Sequence, residues 1–166
     1  MESIIVIPSR YGSTRFPGKP LSMIAGRSLI QRVYAIAKSV GGVDEVIVAT
    51  DDERIEKHVA SFGGRAVMTS PDCDNGTERV FDLLKRLKLK PKVAVNFQGD
   101  AVLTPPSVLE TLVRAMKSDP SATFATPAVQ LTELQYDELL QSKSKIPSGT
   151  LVTFDRNFNA LYKLVS

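Results

Sequence analysis

Apolar runs rich in β-branched residues alternate with amphipathic segments along most of this chain. A short, continuous apolar run that ends at a loop signal is typical of a strand buried on both faces. The sequence predicts strands over 3–8, 45–50, 65–69, 92–97 and 122–129. It predicts helices over 28–39, 51–62, 77–89, 107–118 and 132–142. We therefore expect an α/β fold with three layers, a Rossmann-like, mostly parallel sheet with helices on both faces.

The pattern changes after residue 142. KSKIPSG (143–149) has the composition of a linker, and TLVTFD and NALYKLV resemble two strands around Arg156–Asn157. We predict a hairpin there and a single domain over 1–166. An end directly after an apolar strand indicates a missing remainder, and a natural edge strand is the alternative.

Composition excludes several classes of protein. No apolar stretch approaches the roughly 20 residues that cross a bilayer, and the N-terminus has neither the basic region nor the cleavage site of a signal peptide. Cys73 is the single cysteine, so no internal disulfide can form. The net charge of +3 is too small to indicate nucleic-acid binding. We expect a cytoplasmic protein without a membrane or nucleic-acid partner, and a local positive patch would suit an anionic small molecule.

The loop RYGSTRFPGKPL (10–21) concentrates positive charge directly after the first predicted strand. It holds Arg10, Arg15 and Lys19 among glycines and prolines. It matches neither G-x-x-x-x-G-K-[ST] nor G-x-G-x-x-G. Glycine backbone amides and bidentate arginines nevertheless suit phosphate oxygens. The loop is therefore a candidate phosphate-binding loop, and a solvated basic loop is the alternative.

Four polar loops follow the carboxyl ends of the predicted strands, at 9–20, 50–52, 70–79 and 98–104. Ligands of open α/β sheets bind outside those ends, so the loops should share one rim. Asp100 would then face the three cations. Magnesium takes one or two carboxylates and completes its shell with water and phosphate oxygens, so Asp100 could supply half of a site. A turn or helix-capping aspartate is the alternative.

Several motifs together resemble one family. RYGSTRFPGKPL resembles the R-x-x-S-x-R-x-P-x-K signature of sugar nucleotidyltransferases. ATDDERI, GTER and NFQGD follow in the order and spacing of 3-deoxy-manno-octulosonate (KDO) cytidylyltransferases, also called CMP-KDO synthetases. SPDCDNGTER resembles the family's S/T-x-x-x-x-S-G-T-[ED]-R loop, and NALYKLVS resembles its A-L-Y-F-S-R segment. FGGRAVMTSP and ATDDERI also resemble the variant that activates the 8-amino sugar.

The resemblance implies a reaction and its participants. CTP would bind over the strand ends, and a hydroxyl of an acidic eight-carbon sugar would attack the α-phosphorus. Pyrophosphate would leave, and the CMP-sugar would serve lipopolysaccharide biosynthesis. The resemblance also implies Mg²⁺ as the cofactor and a homodimer as the assembly.

The same resemblance assigns roles to residues of this chain. Arg10, Lys19 and Asp100 would be catalytic, with Asp100 as the magnesium ligand, and Gln98 would face the sugar. Arg79 would lie near the phosphates or hold its loop. The residues expected to contact the nucleotide are Pro8, Arg10, Gly12, Ser13, Arg15, Lys19, Thr50, Asp51, Asn75, Gly76, Thr77 and Arg79.

Two departures from the family keep other functions open. The family reads G-D-E-P where this chain has Gly99-Asp100-Ala101-Val102, which removes one carboxylate. The family's later segment, with most sugar contacts and a second metal aspartate, has no counterpart here. A nucleotide-binding module without turnover, or a nucleotidyltransferase for another acceptor, are the alternatives. Two further residues favour structural interpretations: His58 as a surface or boundary histidine in a helix and Cys73 as a loop thiol.

Overall fold

The computed structural model describes residues 1–12, 16–141, 153–154 and 160–161. Two compact units divide the chain, Met1–Ala125 and Thr126–Ser166. The strands are β1 Ser3–Ser9, β2 Met23–Ile24, β3 Arg27–Ser28, β4 Glu45–Thr50, β5 Ala66–Met68, β6 Val93–Asn96, β7 Thr153–Phe154 and β8 Ala160–Leu161. The helices are α1 Leu29–Lys38, α2 Glu53–Ser61, α3 Gly76–Arg86, α4 Pro106–Ser118 and α5 Glu133–Gln141, and a 3-10 turn spans Lys19–Leu21.

A four-stranded parallel sheet organises the first unit, in the order β5-β4-β1-β6. β1 lies inside this sheet, with Val6 opposite Ile47 of β4 and Ile5 opposite Val95 of β6. All seven residues of β1 are buried, as the continuous apolar run predicts. The first four predicted strands are thereby confirmed, and so is the parallel sheet.

Alternate side chains of β1 enter two different cores. Ile5 and Ile7 belong to a cluster that includes residues of α1, α2 and α4. Ile4 and Val6 belong to a second cluster, to which α3 contributes Val80 and Leu83. Successive residues of a strand point to opposite faces, so one run fills both layers. Helices on both faces of the sheet are confirmed.

Side-chain caps begin the first three helices. The Ser28 hydroxyl accepts the Gln31 amide at 3.2 Å and begins α1, as predicted. Ser28 Oγ also lies 2.8 Å from His58 Nε2, and the His58 ring packs edge-on against Phe62. These contacts confirm His58 as a boundary histidine. Asp52 and Asn75 cap α2 and α3 in the same way, so each of those helices begins one residue after its cap.

The predicted fifth strand at 122–129 is wrong, because the structure has no strand there. Phe124 is 67% exposed and Val129 is 85% exposed, so the run lies in no core. A strand needs a neighbour for its backbone groups, and Pro127 has no N–H to donate to one.

The second unit contains α5 and a short antiparallel pair. Thr153 lies opposite Leu161 and Phe154 opposite Ala160, which confirms the hairpin pairing at these positions. The predicted linker at 143–149 and the turn at Arg156–Asn157 lie outside the described residues. In the part of the chain that the structure describes, no helix is both long and apolar enough to cross a membrane.

Candidate functional site

A cavity of about 320 Å³ lies at the carboxyl ends of the parallel strands. It is lined by the end of β1, by the loop that leads into α3 and by the turn after β6. The lining residues are Pro8, Ser9, Arg10, Cys73, Asp74, Asn75, Gly76, Arg79 and Gln98. The structure therefore brings three of the four predicted loops to one rim.

The basic loop leaves β1 and turns back on itself. The Gly18 amide donates to the Tyr11 carbonyl at 2.9 Å, and Gly18 has a φ of 70°, which favours glycine. Arg10 and Gly12 are exposed, and Lys19 opens the 3-10 turn. Ser13 and Arg15 lie outside the described residues, so their predicted contacts with a nucleotide stay predictions.

Lys19 and Asp100 form an ion pair although 81 residues separate them. Lys19 Nζ lies 2.6 Å from Asp100 Oδ2, and the side chains are 41% and 55% exposed. A turn holds Asp100, because the Ala101 amide donates to the Gln98 carbonyl at 3.1 Å. The two oppositely charged groups thus meet on the rim and remain accessible to a ligand.

Asp100 is the residue that could hold a magnesium ion. Among the residues that the structure describes, no three His, Cys, Asp or Glu side chains are grouped so that they could hold a metal. A single half-exposed carboxylate beside the basic loop still fits Mg²⁺, because this ion completes its shell with water and substrate phosphates. The donor set therefore suits an ion that arrives with a nucleotide.

The first turn of α3 forms one wall of the cavity. Asn75 Oδ1 accepts the Glu78 amide at 3.0 Å, and Glu78 in return accepts the Asp74 amide at 2.9 Å. A Cβ at Gly76 would lie 3.1 Å from Pro8 Cγ and 3.3 Å from Gln98 Nε2. Glycine therefore lets the helix start approach β1, and the partial positive charge of a helix N-terminus favours anions.

Amide side chains connect the β6 turn to the same helix. Gln98 Nε2 donates to Asn96 Oδ1 at 3.0 Å, and Asn96 Nδ2 donates to Thr77 Oγ1 at 3.2 Å. Gln98 lines the cavity, whereas Thr77 does not. These two hydrogen bonds orient the Gln98 side chain at the cavity wall.

Arg79 is buried and joins three segments. Its guanidinium lies 2.7 Å from Asp51 Oδ2 and donates to Thr69 Oγ1 at 2.7 Å. Thr69 Oγ1 donates to the carbonyl of Thr50, which is fully buried. Of the two predicted roles of Arg79, this geometry favours holding the loop. Thr50 and Asp51 belong to this network and do not line the cavity.

Ser9 and Asp74 belong to no motif that predicted a functional role, and Cys73 was predicted only as a loop thiol. All three line the cavity. Ser9 Oγ is buried without a hydrogen-bond partner. Burial raises the pKa of the Cys73 thiol above its ordinary value. Only their positions in the chain could have indicated a place in the site. Ser9 ends β1, and Cys73 and Asp74 directly precede Asn75, the cap of α3.

The fold and the rim define an α/β protein with a polar cavity at the carboxyl ends of its parallel strands. The family model for cytidylyltransferases matches residues 4–162, and the chain belongs to this family. The 3-deoxy-manno-octulosonate cytidylyltransferase of Maricaulis maris is 50% identical over 163 residues, covering 98% of this chain and 63% of the relative. The enzyme of that name from Chlamydia trachomatis serovar L2 is 43% identical over 157 residues, covering 95% and 59%.

Two further similarities extend the comparison. The 8-amino-3,8-dideoxy-manno-octulosonate cytidylyltransferase of a Shewanella strain is 40% identical, covering 98% of this chain and 64% of the relative. A solved CMP:2-keto-3-deoxy-manno-octonic acid synthetase complexed with CTP is 46% identical, with a TM-score of 0.70 over 73% of this chain and 49% of that one. The chain thus spans about 60% of the length of these curated relatives.

Proposed function

We propose that the protein transfers the cytidylyl group of CTP to 3-deoxy-manno-octulosonate. One observation carries the proposal: the Lys19–Asp100 ion pair lies on the rim whose cavity Arg10, the start of α3 and Gln98 line. The relatives named for this reaction, and the CTP complex of a similar structure, support the same activity. A module that binds CTP without turnover has less support, because these relatives are named as transferases.

The reaction needs a site that positions a highly charged substrate. A sugar hydroxyl oxygen forms a bond to the α-phosphorus, the bond from that phosphorus to the β-phosphate oxygen breaks, and pyrophosphate leaves with the electron pair. The hydroxyl proton is released. Such transfers depend mainly on positioning and on positive charge around the transition state. Arg10 and Lys19 would supply that charge.

Asp100 would hold magnesium in this scheme, and Lys19 would move from Asp100 to the triphosphate. When bound, Mg²⁺ neutralises charge on the phosphate oxygens. Gln98 would contact the sugar, and Asn75 with Gly76 would lie against the nucleoside. The predicted contacts of Pro8, Gly12 and Thr77 belong to the same proposal. A homodimer in the cytoplasm remains the expected state.

The 8-amino sugar is a second candidate acceptor, because the Shewanella relative is named for it. Pyrophosphate release from CTP and Mg²⁺, with each sugar in turn, tests both acceptors. We expect release with at least one of them and none without a sugar. Replacing Lys19 by alanine should reduce the rate by about 100-fold, since one lost charge contact to a transition state costs on that order.

Lys57→Ala is the matched control, because Lys57 forms a comparable exposed ion pair with Glu53 at 2.9 Å on α2. This variant should retain the wild-type rate. Absence of pyrophosphate with both sugars, while CTP still binds, would favour the module without turnover and contradict the proposed transfer.

A further inference from the structure

Arg54, on the first turn of α2, packs flat on a residue of the basic loop. Its guanidinium carbon lies 3.3 Å from the centroid of the Tyr11 ring. The edge of the same guanidinium bonds to Asp52, with Nε at 2.9 Å and a terminal nitrogen at 2.6 Å. The edge of the guanidinium therefore contacts Asp52, and its face contacts Tyr11. This arrangement holds the cation over the ring in one orientation.

Tyr11 and Gly18 lie where the two ends of the basic loop approach each other, and we call this pair of residues the neck. The Tyr11 carbonyl accepts the Gly18 amide at 2.9 Å, and the Tyr11 ring is so close that a Cβ at Gly18 would lie 3.1 Å from it. Arg10 directly precedes Tyr11, and Lys19 directly follows Gly18. The spacing across this neck therefore sets the separation of the backbone at Arg10 and Lys19, from which the two cations extend.

Arg10 and Lys19 carry like charges at the two ends of the neck, and the exposed ion pair with Asp100 offsets only part of the Lys19 charge. The remaining repulsion between the two cations favours a wider loop. Arg54 supports the neck without adding to the repulsion, since Asp52 neutralises its charge. Its bond to Asp52 is strong enough to lower the pKa of that carboxyl below its ordinary value. The pair thus presents a planar, nearly neutral surface to Tyr11.

We propose that Arg54, through its stack on Tyr11, positions Arg10 and Lys19 for the CTP triphosphate. Arg54 acts as a positioning residue, because its nitrogens bond to Asp52 and its face contacts the ring. This inference rests on the proposed function. It adds that helix α2, which contributes no residue to the cavity lining, controls nucleotide affinity through the neck at Tyr11 and Gly18.

The test compares Arg54→Leu with Arg86→Leu in the full chain. Arg86 is a matched control, since it pairs with Asp82 at 2.6 Å on α3. Titration of CTP with Mg²⁺ should show roughly 5- to 10-fold weaker binding for Arg54→Leu, the factor expected for loss of a cation–π contact. Tyr11→Phe keeps the ring and should retain wild-type affinity. In turnover assays KM for CTP should rise while kcat changes little.

A second readout needs no nucleotide. Hydrogen exchange at the Gly18 amide should be faster in Arg54→Leu, because the neck opens more often. The proposal requires both effects. Unchanged exchange, or unchanged CTP affinity in a variant of wild-type melting temperature, would overturn it. Failure of the wild-type chain to bind CTP would instead overturn the proposed function, and this inference with it.

Discussion

Arg79 and Lys19 are cations of the same rim, and their different burial indicates different roles. The Arg79 side chain is 3% exposed and bonds to Asp51 and Thr69, so moving it would leave buried polar groups unpaired. Lys19 is 41% exposed, and its partner Asp100 is also open to solvent. An exposed ion pair is weak, so a triphosphate can replace it at little cost. We therefore expect Arg79 to shape the site and Lys19 to bind the ligand.

Chemical labelling of Cys73 can measure whether the cavity is occupied, because Cys73 is the single cysteine and lines the cavity wall. Burial raises the pKa of its thiol, so little thiolate is present at neutral pH. We predict slow alkylation by iodoacetamide at pH 7, faster alkylation as the pH is raised, and several-fold protection by CTP with Mg²⁺. Mass spectrometry measures the labelled fraction. An identical labelling rate with and without saturating CTP would place the nucleotide elsewhere.

Local sequence sets the ends of the elements. Ser28, Asp52 and Asn75 each cap a helix, and Asn75 together with Gly76 places the start of α3 against β1. The central strand has an anchor of its own at its beginning. The Asp44 carboxylate accepts the amides of Glu2 and Ser3 at 2.6 and 3.1 Å. These bonds join the turn before β4 to the start of β1.

The Asp44 anchor predicts how stability depends on pH. Its bonds to the Ser3 and Glu2 amides lower the pKa of Asp44 below the ordinary 3.8. Because the folded chain binds this proton more weakly than the unfolded chain, the stabilisation is complete above about pH 4 and is lost as the pH falls through the lowered pKa. We expect a melting temperature that is steady near neutral pH and falls in acid.

The Asp44→Asn variant should have a lower melting temperature at neutral pH. That temperature should fall less on acidification than the melting temperature of the wild type. Asp52, Asp82 and Asp119 also have lowered pKa values, so part of the acid dependence should remain. Thermal melts followed by circular dichroism, at pH values from about 2 to about 7, measure both effects. Parallel curves for the two proteins would show that the Asp44 charge does not contribute.

Sequence predicted the sheet and the shared rim because both follow from topology. Alternating strands and helices enforce parallel strands, and parallel strands place the ends of β1 and β6 together. The strand predicted at 122–129 is wrong, because strand formation depends on a partner that composition does not reveal. The Arg79–Asp51 bond and the Arg54–Tyr11 stack also depend on packing between distant segments. Periodicity carries no signal for such contacts.

In the proposed site, Arg10 and Lys19, on one rim with Asp100, bind the triphosphate of CTP. Calorimetric titration of CTP with Mg²⁺ compares the wild-type chain, the Arg10→Ala/Lys19→Ala double variant and the Lys57→Ala control. We expect binding to the wild type and the control, and affinity lower by at least about 100-fold in the double variant, since contacts to charged groups are worth about 1.5–3 kcal/mol each. Equal affinity in all three proteins would contradict this assignment.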